Sequence, residues 1–328
     1  MNKKWFIFVL VLCLSLTTVW ATGSAETQTS DGPVKEISIF HFKSLWLEPW
    51  EELMGIYEDE TGIKVNSEIT GGSSDYSTML KTKVAAGEVA DIFFIHGYTE
   101  YKLFEEYIEP QNDAGWIAHV AEFAKDGYTV DGKVIGMPMT VETFGLIYNK
   151  DIFAQAGIVN PPKTYEELVD AVAKLNAIGV TPFSTGAATA WVIGHHFANV
   201  AMSKRSHMPE YIAALNNGTA TIAEDPLMKE WQNVFDLIFS NCAPNPLSED
   251  HQTEVTLFAQ GKVAMMLQGN WKENSVLTIN PDMNMGLLPI PLGPNDELDG
   301  YVLSGLPFFV SINAKASDGV KQACKDFC

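Results

Sequence analysis

The chain has 328 residues, of which 46% are hydrophobic and 19% charged. That is enough apolar material for a large core and too much for an intrinsically disordered protein. At roughly 100–200 residues per domain, the length predicts about two domains. The 21 Lys and Arg residues stand against 41 Asp and Glu residues, a net charge of −20 that is spread along the chain. Since binding to duplexes needs clustered cations, nucleic acid and anionic lipid are not expected partners for the body of the protein.

The first 25 residues have the pattern of a secretory signal peptide. Two lysines precede an uncharged, mostly apolar run, Trp5 to Trp20, which is short for a membrane span. Small residues follow this run, and cleavage is expected after Ala21 or Ala25. An uncleaved membrane anchor is the alternative interpretation. We expect residues 26–35 to form a flexible leader and the mature protein to work in the periplasm or outside the cell.

The next part of the chain alternates predicted strands and helices. Residues 37–42 alternate with period two, Pro49 opens a helix, and residues 63–66 are extended again. A helix near residues 76–86 and a buried strand over residues 90–95 continue the pattern, which predicts an α/β domain with a parallel sheet. Because ligands bind beyond the carboxyl ends of such strands, the loops that begin at His41 and His96 are candidate binding loops.

A second α/β region is predicted after an Asp-Gly hairpin turn within residues 130–133. Thr164 and Glu167 have the spacing of a capping box at the start of a helix that Gly179 ends. Further helices are predicted at residues 195–202, 209–215 and 226–239, and extended segments at 263–267, 285–290 and 308–312. A short final helix from Val320 to Phe327 is expected to bury little, as if the sequence were a truncated version of a longer one.

Patterns typical of enzymes and of metal sites are not found in the sequence. His195 and His196 are adjacent, so on a helix their rings would point about 100° apart and could not easily share a metal ion. The cysteines after the signal region are Cys242, Cys324 and Cys328, an odd number without a nearby histidine. We therefore expect free thiols, no metal and no cofactor.

Two tryptophans lie in predicted loops beside small or polar residues. Trp191 follows the run STGAATA, and Trp271 follows a Gly-Asn pair. A flat aromatic ring with polar neighbours suits a sugar, which is apolar on its faces and hydroxylated at its rim. The alternative is that each ring seals the edge of a core, which is the better interpretation for Trp50 and Trp231 on their apolar helical stripes.

Several runs of the sequence resemble the extracellular solute-binding proteins of sugar ABC transporters, family 1, the group that includes maltose-binding protein. Three of these runs follow one another closely, namely Gly132–Pro138, Val141–Asp151 and Pro161–Leu168. Three more agree in order and spacing, namely Thr61–Val65, Ala86–Phe93 and Phe258–Met265 followed by Gly269-Asn270-Trp271. The resemblance extends from about residue 37 to the end of the chain.

This resemblance implies a two-lobed periplasmic binding protein fold of type II, with a ligand cleft between α/β lobes that crossing hinge strands join. It places the crossings near Thr140–Gly145 and Gln260–Lys262. The first lobe would comprise residues 36–140 plus 262–314, and the second lobe residues 145–260 plus 315–328. The C-terminal helices that the family adds to the second lobe are expected to be missing from this chain.

The resemblance also implies a function, that of a non-enzymatic extracytoplasmic carbohydrate receptor. Such a receptor captures a sugar or oligosaccharide by hinge closure and delivers it to the membrane permease of an ABC transporter; we expect a monomer. Two alternatives remain open. One is a secreted polysaccharide hydrolase that uses paired carboxylates, and the other is a receptor of the same fold for a non-sugar solute.

The residues that match the family's binding loops come from both lobes. Glu142 matches the acid on the crossing strand, and Trp191 matches an aromatic of the second lobe. Relatives often carry an acid just before that aromatic, where this chain has Ala188-Thr189-Ala190. The expected ligand-binding residues are His41, Lys43, Ser44, His96, Tyr98, Glu142, Trp191, Gly269, Asn270, Trp271, Ser304 and Gly305.

Overall fold

The computed structural model describes residues 32–70 and 73–328. The predicted signal peptide and residues 26–31 of the predicted leader lie outside these residues. Residues 32–35 precede the first strand, which begins at Glu36. Every helix in the described part of the chain is too short or too polar to cross a membrane.

The first part of the chain alternates strands and helices, as the sequence predicts. The first α-helix, α1 (Leu47–Thr61), ends at Gly62, whose left-handed φ of 71° is a conformation that glycine adopts without strain. The predicted hairpin turn is present, with positive φ at both Asp131 and Gly132. The elements are β1 (Glu36–His41), α1 (Leu47–Thr61), β2 (Lys64–Ile69), α2 (Ser73–Ala86), β3 (Ile92–Ile95), α3 (Gly97–Phe104), α4 (Lys125–Tyr128), β4 (Thr129–Val130), β5 (Lys133–Val134) and β6 (Met137–Pro138).

The rest of the chain is again mixed α/β. The elements are β7 (Glu142–Asn149), α5 (Lys150–Gln155), α6 (Tyr165–Ala177), β8 (Thr181–Ser184), α7 (Ala198–Ser203), α8 (Met208–Asn216), α9 (Pro226–Ser240), α10 (His251–Ala259), β9 (Val263–Gly269), α11 (Glu273–Ile279), β10 (Met285–Leu288), β11 (Leu303–Gly305), β12 (Phe309–Ile312) and α12 (Asp318–Phe327). The predicted capping box of α6 is formed by Thr164 and Glu167. A π-helix, Val192–Phe197, leads into α7.

The described residues form two five-stranded sheets that have separate hydrophobic cores. One sheet has the order β2-β1-β3-β12-β6, with β1 parallel to β2 and β3. The other has the order β10-β7-β9-β8, and β11 pairs with β7. The core of the first sheet draws on residues 34–139 and 306–328, which we call the first unit. The cores of the second sheet draw on residues within 142–305, the second unit.

The chain crosses between the units at residues 140–141 and again between Gly305 and Leu306. The first position lies within the range expected from the sequence, and the second does not. β9 pairs with β7 and β8 in the second sheet, with Phe144 opposite Gly269. Residues 262–305 therefore belong to the second unit, and the expected crossing at Gln260–Lys262 was wrong. All seven residues of β9 are buried, so its sequence suits a central strand of either sheet and does not reveal its partners.

The final helix also differs from the sequence-based expectation. α12 packs in the first unit, not in the second lobe, and buries Ala323, Cys324 and Phe327. The Phe327 ring meets the rings of Trp50 and Tyr57 edge-on at 5.7 and 5.2 Å. The expectation that α12 would bury little was therefore wrong, because its short apolar stripe covers aromatic residues of α1 that would otherwise be exposed.

Candidate functional site: the cleft between the units

A cleft of about 570 Å³ opens where the two units face each other. The first unit lines it with Phe42, Lys43, Ser44, Trp46, His96, Pro307 and Phe308. The crossing segment and the start of β7 contribute Thr140, Val141 and Glu142. The second unit contributes Trp191, His195, His196, His251, Gln252, Asn270, Trp271, Lys272, Glu273, Asn274 and Ser275. The loops after β1 and β3 reach the cleft because the carboxyl ends of these parallel strands meet at one edge of the sheet.

Seven of the twelve residues expected from the sequence line this cleft, namely Lys43, Ser44, His96, Glu142, Trp191, Asn270 and Trp271. Tyr98 does not, because α3 holds it at the surface, 60% exposed, with its ring near Lys102 and Tyr101. Ser304 and Gly305 pair with Thr143 and Glu142 on the edge of the second sheet and do not line the cleft.

His41 lies beneath the cleft and not in its lining. Its ring is buried between Trp50 and Phe94, and this burial lowers its pKa to about 4. Nδ1 accepts a hydrogen bond from the backbone N–H of Lys43 at 3.3 Å, and Nε2 pairs with Ser67 Oγ at 3.0 Å. The contribution of His41 is therefore to support the loop that carries Lys43.

Gly269 likewise shapes the cleft without lining it. A side chain at this position would collide with the indole ring of Trp271 and with the carbonyl oxygen of Thr143. Glycine therefore lets the Trp271 ring lie directly against the end of β9. The side chain of the next residue, Asn270, accepts from the backbone N–H of Thr143 at 3.1 Å and donates to the carbonyl of Val141 at 3.2 Å. Asn270 thus braces the crossing segment.

An ion pair connects the units across the cleft. Lys43 Nζ donates to Glu142 Oε1 at 2.8 Å, and both side chains are largely shielded from solvent. The ammonium group also lies 4.3 Å from the centre of the Phe308 ring. An opposite charge and an aromatic face both stabilise an ammonium group that is shielded from water. The Lys43 ammonium is therefore held in place, and its hydrogen bond fixes the Glu142 carboxylate at the floor of the cleft.

Aromatic rings form the opposite wall. His196 packs against both Phe144 and Trp271, with ring centres 5.2 and 4.8 Å away, and Trp191 meets His196 edge-on at 5.5 Å. Trp191 and Trp271 are 6.2 Å apart in a T-shaped arrangement. Such pairs hold aromatic rings in defined orientations, so the wall is a rigid apolar surface.

The histidines of this wall are poor proton acceptors. Burial, together with the smaller electrostatic effects of His195 and Lys43, lowers the pKa of His196 to about 3. Burial also lowers the pKa of His195 and of His251. Lys272, which is buried, lies with Nζ 2.7 Å from His251 Nδ1, and burial lowers its pKa too. At neutral pH the imidazole rings of the wall are therefore uncharged.

Within residues 32–70 and 73–328, no three His, Cys, Asp or Glu side chains are grouped closely enough to hold a metal ion. Cys242, Cys324 and Cys328 are free thiols, and burial raises the pKa of Cys328 to about 12.

Sequence reasoning missed several cleft residues, among them Trp46, His196, His251, Lys272 and Phe308. His196 contacts Trp191 five positions earlier because this segment begins a π-helix, in which residues i and i+5 are neighbours. A search at the α-helical period of 3.6 cannot detect that spacing. Phe308 was assigned to an extended segment, and nothing in its neighbours indicated that the chain crosses between units just before it.

Comparisons with known proteins agree with this architecture. Residues 42–325 match the model of the bacterial extracellular solute-binding protein family. The multiple sugar-binding protein of Streptococcus mutans is 22% identical over 98% of this chain and 78% of its own length. The melibiose/raffinose/stachyose-binding protein MelE of Bacillus subtilis is 26% identical over 88% and 69%.

Solved structures show the same fold. A chitin oligosaccharide binding protein aligns with a TM-score of 0.77 at 24% identity, over 90% of this chain and 76% of that one. RafE in complex with raffinose aligns with a TM-score of 0.76 at 24% identity, over 89% and 76%. The resemblance seen in the sequence is confirmed: the chain belongs to the bacterial extracellular solute-binding protein family and has its two-lobed α/β fold.

Proposed function

We propose that this protein is an extracytoplasmic receptor that binds a sugar or oligosaccharide in the cleft and delivers it to the membrane permease of an ABC transporter. Family membership supports this proposal, and the two relatives described above are named as sugar-binding proteins. Secretion through the predicted signal peptide and action as a monomer are parts of the same proposal.

The observation that carries the proposal is the aromatic wall opposite a floor of polar groups. Trp191, His196 and Trp271 offer uncharged ring faces to the cleft. Across from them lie the Glu142 carboxylate and the Lys43 ammonium. A sugar ring is apolar on its faces and carries hydroxyl groups around its edge, so it can stack on the wall while its hydroxyls exchange hydrogen bonds with the floor.

Hinge closure is the proposed mechanism of capture. The chain crosses between the units at two places, and the cleft is lined from both sides. A sugar that contacts both units binds the closed arrangement more tightly than an open one. Only this difference in affinity can shift the equilibrium toward closure.

We propose further that the bound sugar is released chemically unchanged. The relatives that support the function are named as binding proteins, and a hydrolase would instead need two carboxyl groups placed on either side of a glycosidic bond. The proposal therefore treats Glu142 as a hydrogen-bonding group for sugar hydroxyls and not as a catalytic acid.

The test is a thermal-shift screen of the purified protein against raffinose, stachyose, maltotriose, diacetylchitobiose and a set of monosaccharides, followed by calorimetric titration of each hit. A bound sugar should raise the melting temperature, because ligand at 100 times Kd contributes about 2.7 kcal/mol to the stability of the folded state. Mass spectrometry of the recovered sugar should show no cleavage. The absence of a shift with every sugar would refute the receptor, and product formation would favour the hydrolase.

A further inference from the structure

Gln268 is a polar residue inside an otherwise apolar strand. All seven residues of β9 are buried, and the exposed fraction of Gln268 is 0%. Burying an amide without hydrogen-bond partners is strongly unfavourable, because the group loses its hydrogen bonds to water. The buried amide of Gln268 is therefore expected to have hydrogen-bond partners within the protein.

Both ends of the Gln268 amide are engaged. Nε2 donates to Glu254 Oε2 at 2.6 Å, and Oε1 accepts from the indole N–H of Trp271 at 3.2 Å. Glu254 is also 0% exposed, and its Oε1 accepts from the backbone N–H of Leu267 at 2.8 Å. A continuous chain of hydrogen bonds thus runs from a buried carboxylate through Gln268 to a ring that lines the cleft.

The chain of bonds has only one self-consistent direction. The indole N–H of Trp271 can only donate, so the Gln268 amide must turn its oxygen toward the indole and its nitrogen toward the carboxyl group of Glu254, which accepts. Gly186, at a left-handed φ of 54°, leaves room for the carboxylate, since a side chain there would collide with Glu254 Oε2. Burial raises the pKa of Glu254 well above its usual range, while its hydrogen bonds and Lys272 oppose the shift and Glu249 adds to it.

We infer that Gln268, oriented by Glu254, is a positioning residue that sets the rotation of the Trp271 indole and so the face that it presents to the sugar. The inference depends on the proposed function of the cleft. Gln268 itself does not line the cleft, so it acts only through Trp271. Because the indole has a single N–H, one acceptor behind the ring is enough to select one of its rotations.

The molecule contains a matched control for this arrangement. Gln111 is also 0% exposed, donates to the carbonyl of Val310 at 3.1 Å and accepts from the indole N–H of Trp116 at 3.2 Å. Trp116 belongs to the core of the first unit and does not line the cleft. Substitution of Gln111 therefore disturbs the same kind of bond without touching the proposed site.

The test is a double-mutant cycle on the affinity for the oligosaccharide that binds most tightly among raffinose, stachyose, maltotriose and diacetylchitobiose. Gln268→Met should weaken binding by about tenfold in the wild-type background. It should have no further effect in Trp271→Phe, which keeps a ring but has no indole N–H. Gln111→Met should leave the affinity within about twofold. Equal losses in the two backgrounds, or no loss with Gln268→Met, would overturn the inference while leaving the receptor function intact.

A second readout does not depend on any sugar. In protein labelled with 5-fluorotryptophan, the Trp271 resonance is identified by its loss in Trp271→Phe. It should shift or broaden in Gln268→Met and stay unchanged in Gln111→Met. If no sugar binds, the proposed receptor function fails, but this spectrum still decides whether Gln268 orients the ring. A Trp271 resonance that is unchanged in Gln268→Met would overturn the inference. If Gln268→Met does not fold, Glu254→Gln takes its place in the experiment. This substitution puts an amide N–H group against the existing donors of Leu267 and Gln268, so we expect it to cause the same change in the Trp271 resonance.

Discussion

Trp116 in the first unit and Trp271 in the second unit are held by the same kind of contact and have different surroundings. Each donates its indole N–H to a fully buried glutamine at 3.2 Å. Trp116 is only 8% exposed and meets Tyr128 edge-on within the core, whereas Trp271 is partly exposed and lines the cleft. A buried glutamine therefore holds a ring in either place, and only the surroundings of the ring make it part of a binding surface.

The aromatic rings of both units fall into two groups, those of a core and those of the cleft. In the first unit, Phe94 meets Trp50 edge-on within the core, whereas Phe42, Trp46 and Phe308 line the cleft. In the second unit, Phe197 stacks on Phe235 in the core, whereas Trp191, His196 and Trp271 line the cleft. We therefore expect substitutions of core rings to change mainly stability and substitutions of cleft rings to change mainly affinity.

The largest expected effect distinguishes the two tryptophans. Trp116→Ala should lower the free energy of unfolding by about 3–5 kcal/mol, because it removes a buried ring, and should leave the sugar affinity of the folded protein unchanged. Trp271→Ala should weaken sugar binding by more than about tenfold, or ~1.4 kcal/mol, without unfolding the protein. Chemical denaturation and calorimetric titration of both variants measure these quantities. Unchanged affinity in Trp271→Ala would remove this ring from the site.

Two glycines allow the same comparison of the units, with a smaller expected loss of stability. A side chain at Gly136 would lie 2.7 Å from the carbonyl oxygen of Val310 in the first sheet, and one at Gly269 would collide with the Trp271 ring. Both Gly→Ala variants should lose about 1–3 kcal/mol of stability through overpacking. Only Gly269→Ala should also lose affinity in the titration. Equal affinities would show that the position of the Trp271 ring does not matter for binding.

The ion pair between the units tests the floor of the cleft. Glu142→Ala should weaken sugar binding by more than about tenfold, since it removes a hydrogen-bond acceptor and leaves Lys43 without its charged partner. The unfolding free energy should also fall, although the protein should remain folded, because the largely shielded Lys43 ammonium loses its charged partner. As a control, Glu68→Ala breaks the exposed pair with Lys83 in the first unit and should alter neither quantity. Loss of affinity in the control would point to a general charge effect.

Acid should destabilise the second unit through His196. Its folded pKa of about 3 lies below the ordinary value of 6.5, so the unfolded chain binds the additional proton and stability falls as the pH drops from 6.5 toward 3. His41 makes the corresponding contribution in the first unit between pH 6.5 and about 4.

His196→Phe keeps a ring packed against Phe144 and Trp271 and removes the titrating group. Its melting temperature should therefore decline less steeply with acid than that of the wild type. His119→Phe, at an exposed position of the first unit, is the matched control. Parallel curves for His196→Phe and the wild type would contradict the assignment of this acid sensitivity to His196.

The smallest effect is expected at Tyr98, which the sequence placed in the site and the structure places outside the cleft lining. Tyr98→Ala should change neither the affinity nor, by more than about 0.5 kcal/mol, the stability. A clear loss of sugar affinity in the titration would return this residue to the site.

Local features of the fold could be predicted from the sequence because they depend on neighbouring residues. The capping box at Thr164, the hairpin turn at Asp131 and the loops that carry Lys43 and His96 all follow from short patterns. The pairing of β9 and the packing of α12 could not, because a buried strand or an apolar stripe does not specify its partner. His196 was missed since its contact with Trp191 requires a π-helix.

The proposed receptor holds one sugar between the two units. Calorimetric titration of Lys43→Met, which alters the first side of the cleft, and of Trp271→Ala, which alters the second, tests it most directly. Both variants should bind the best oligosaccharide of the panel at least about tenfold more weakly than the wild type while remaining folded. Wild-type affinity in either variant would contradict a site shared by the two units.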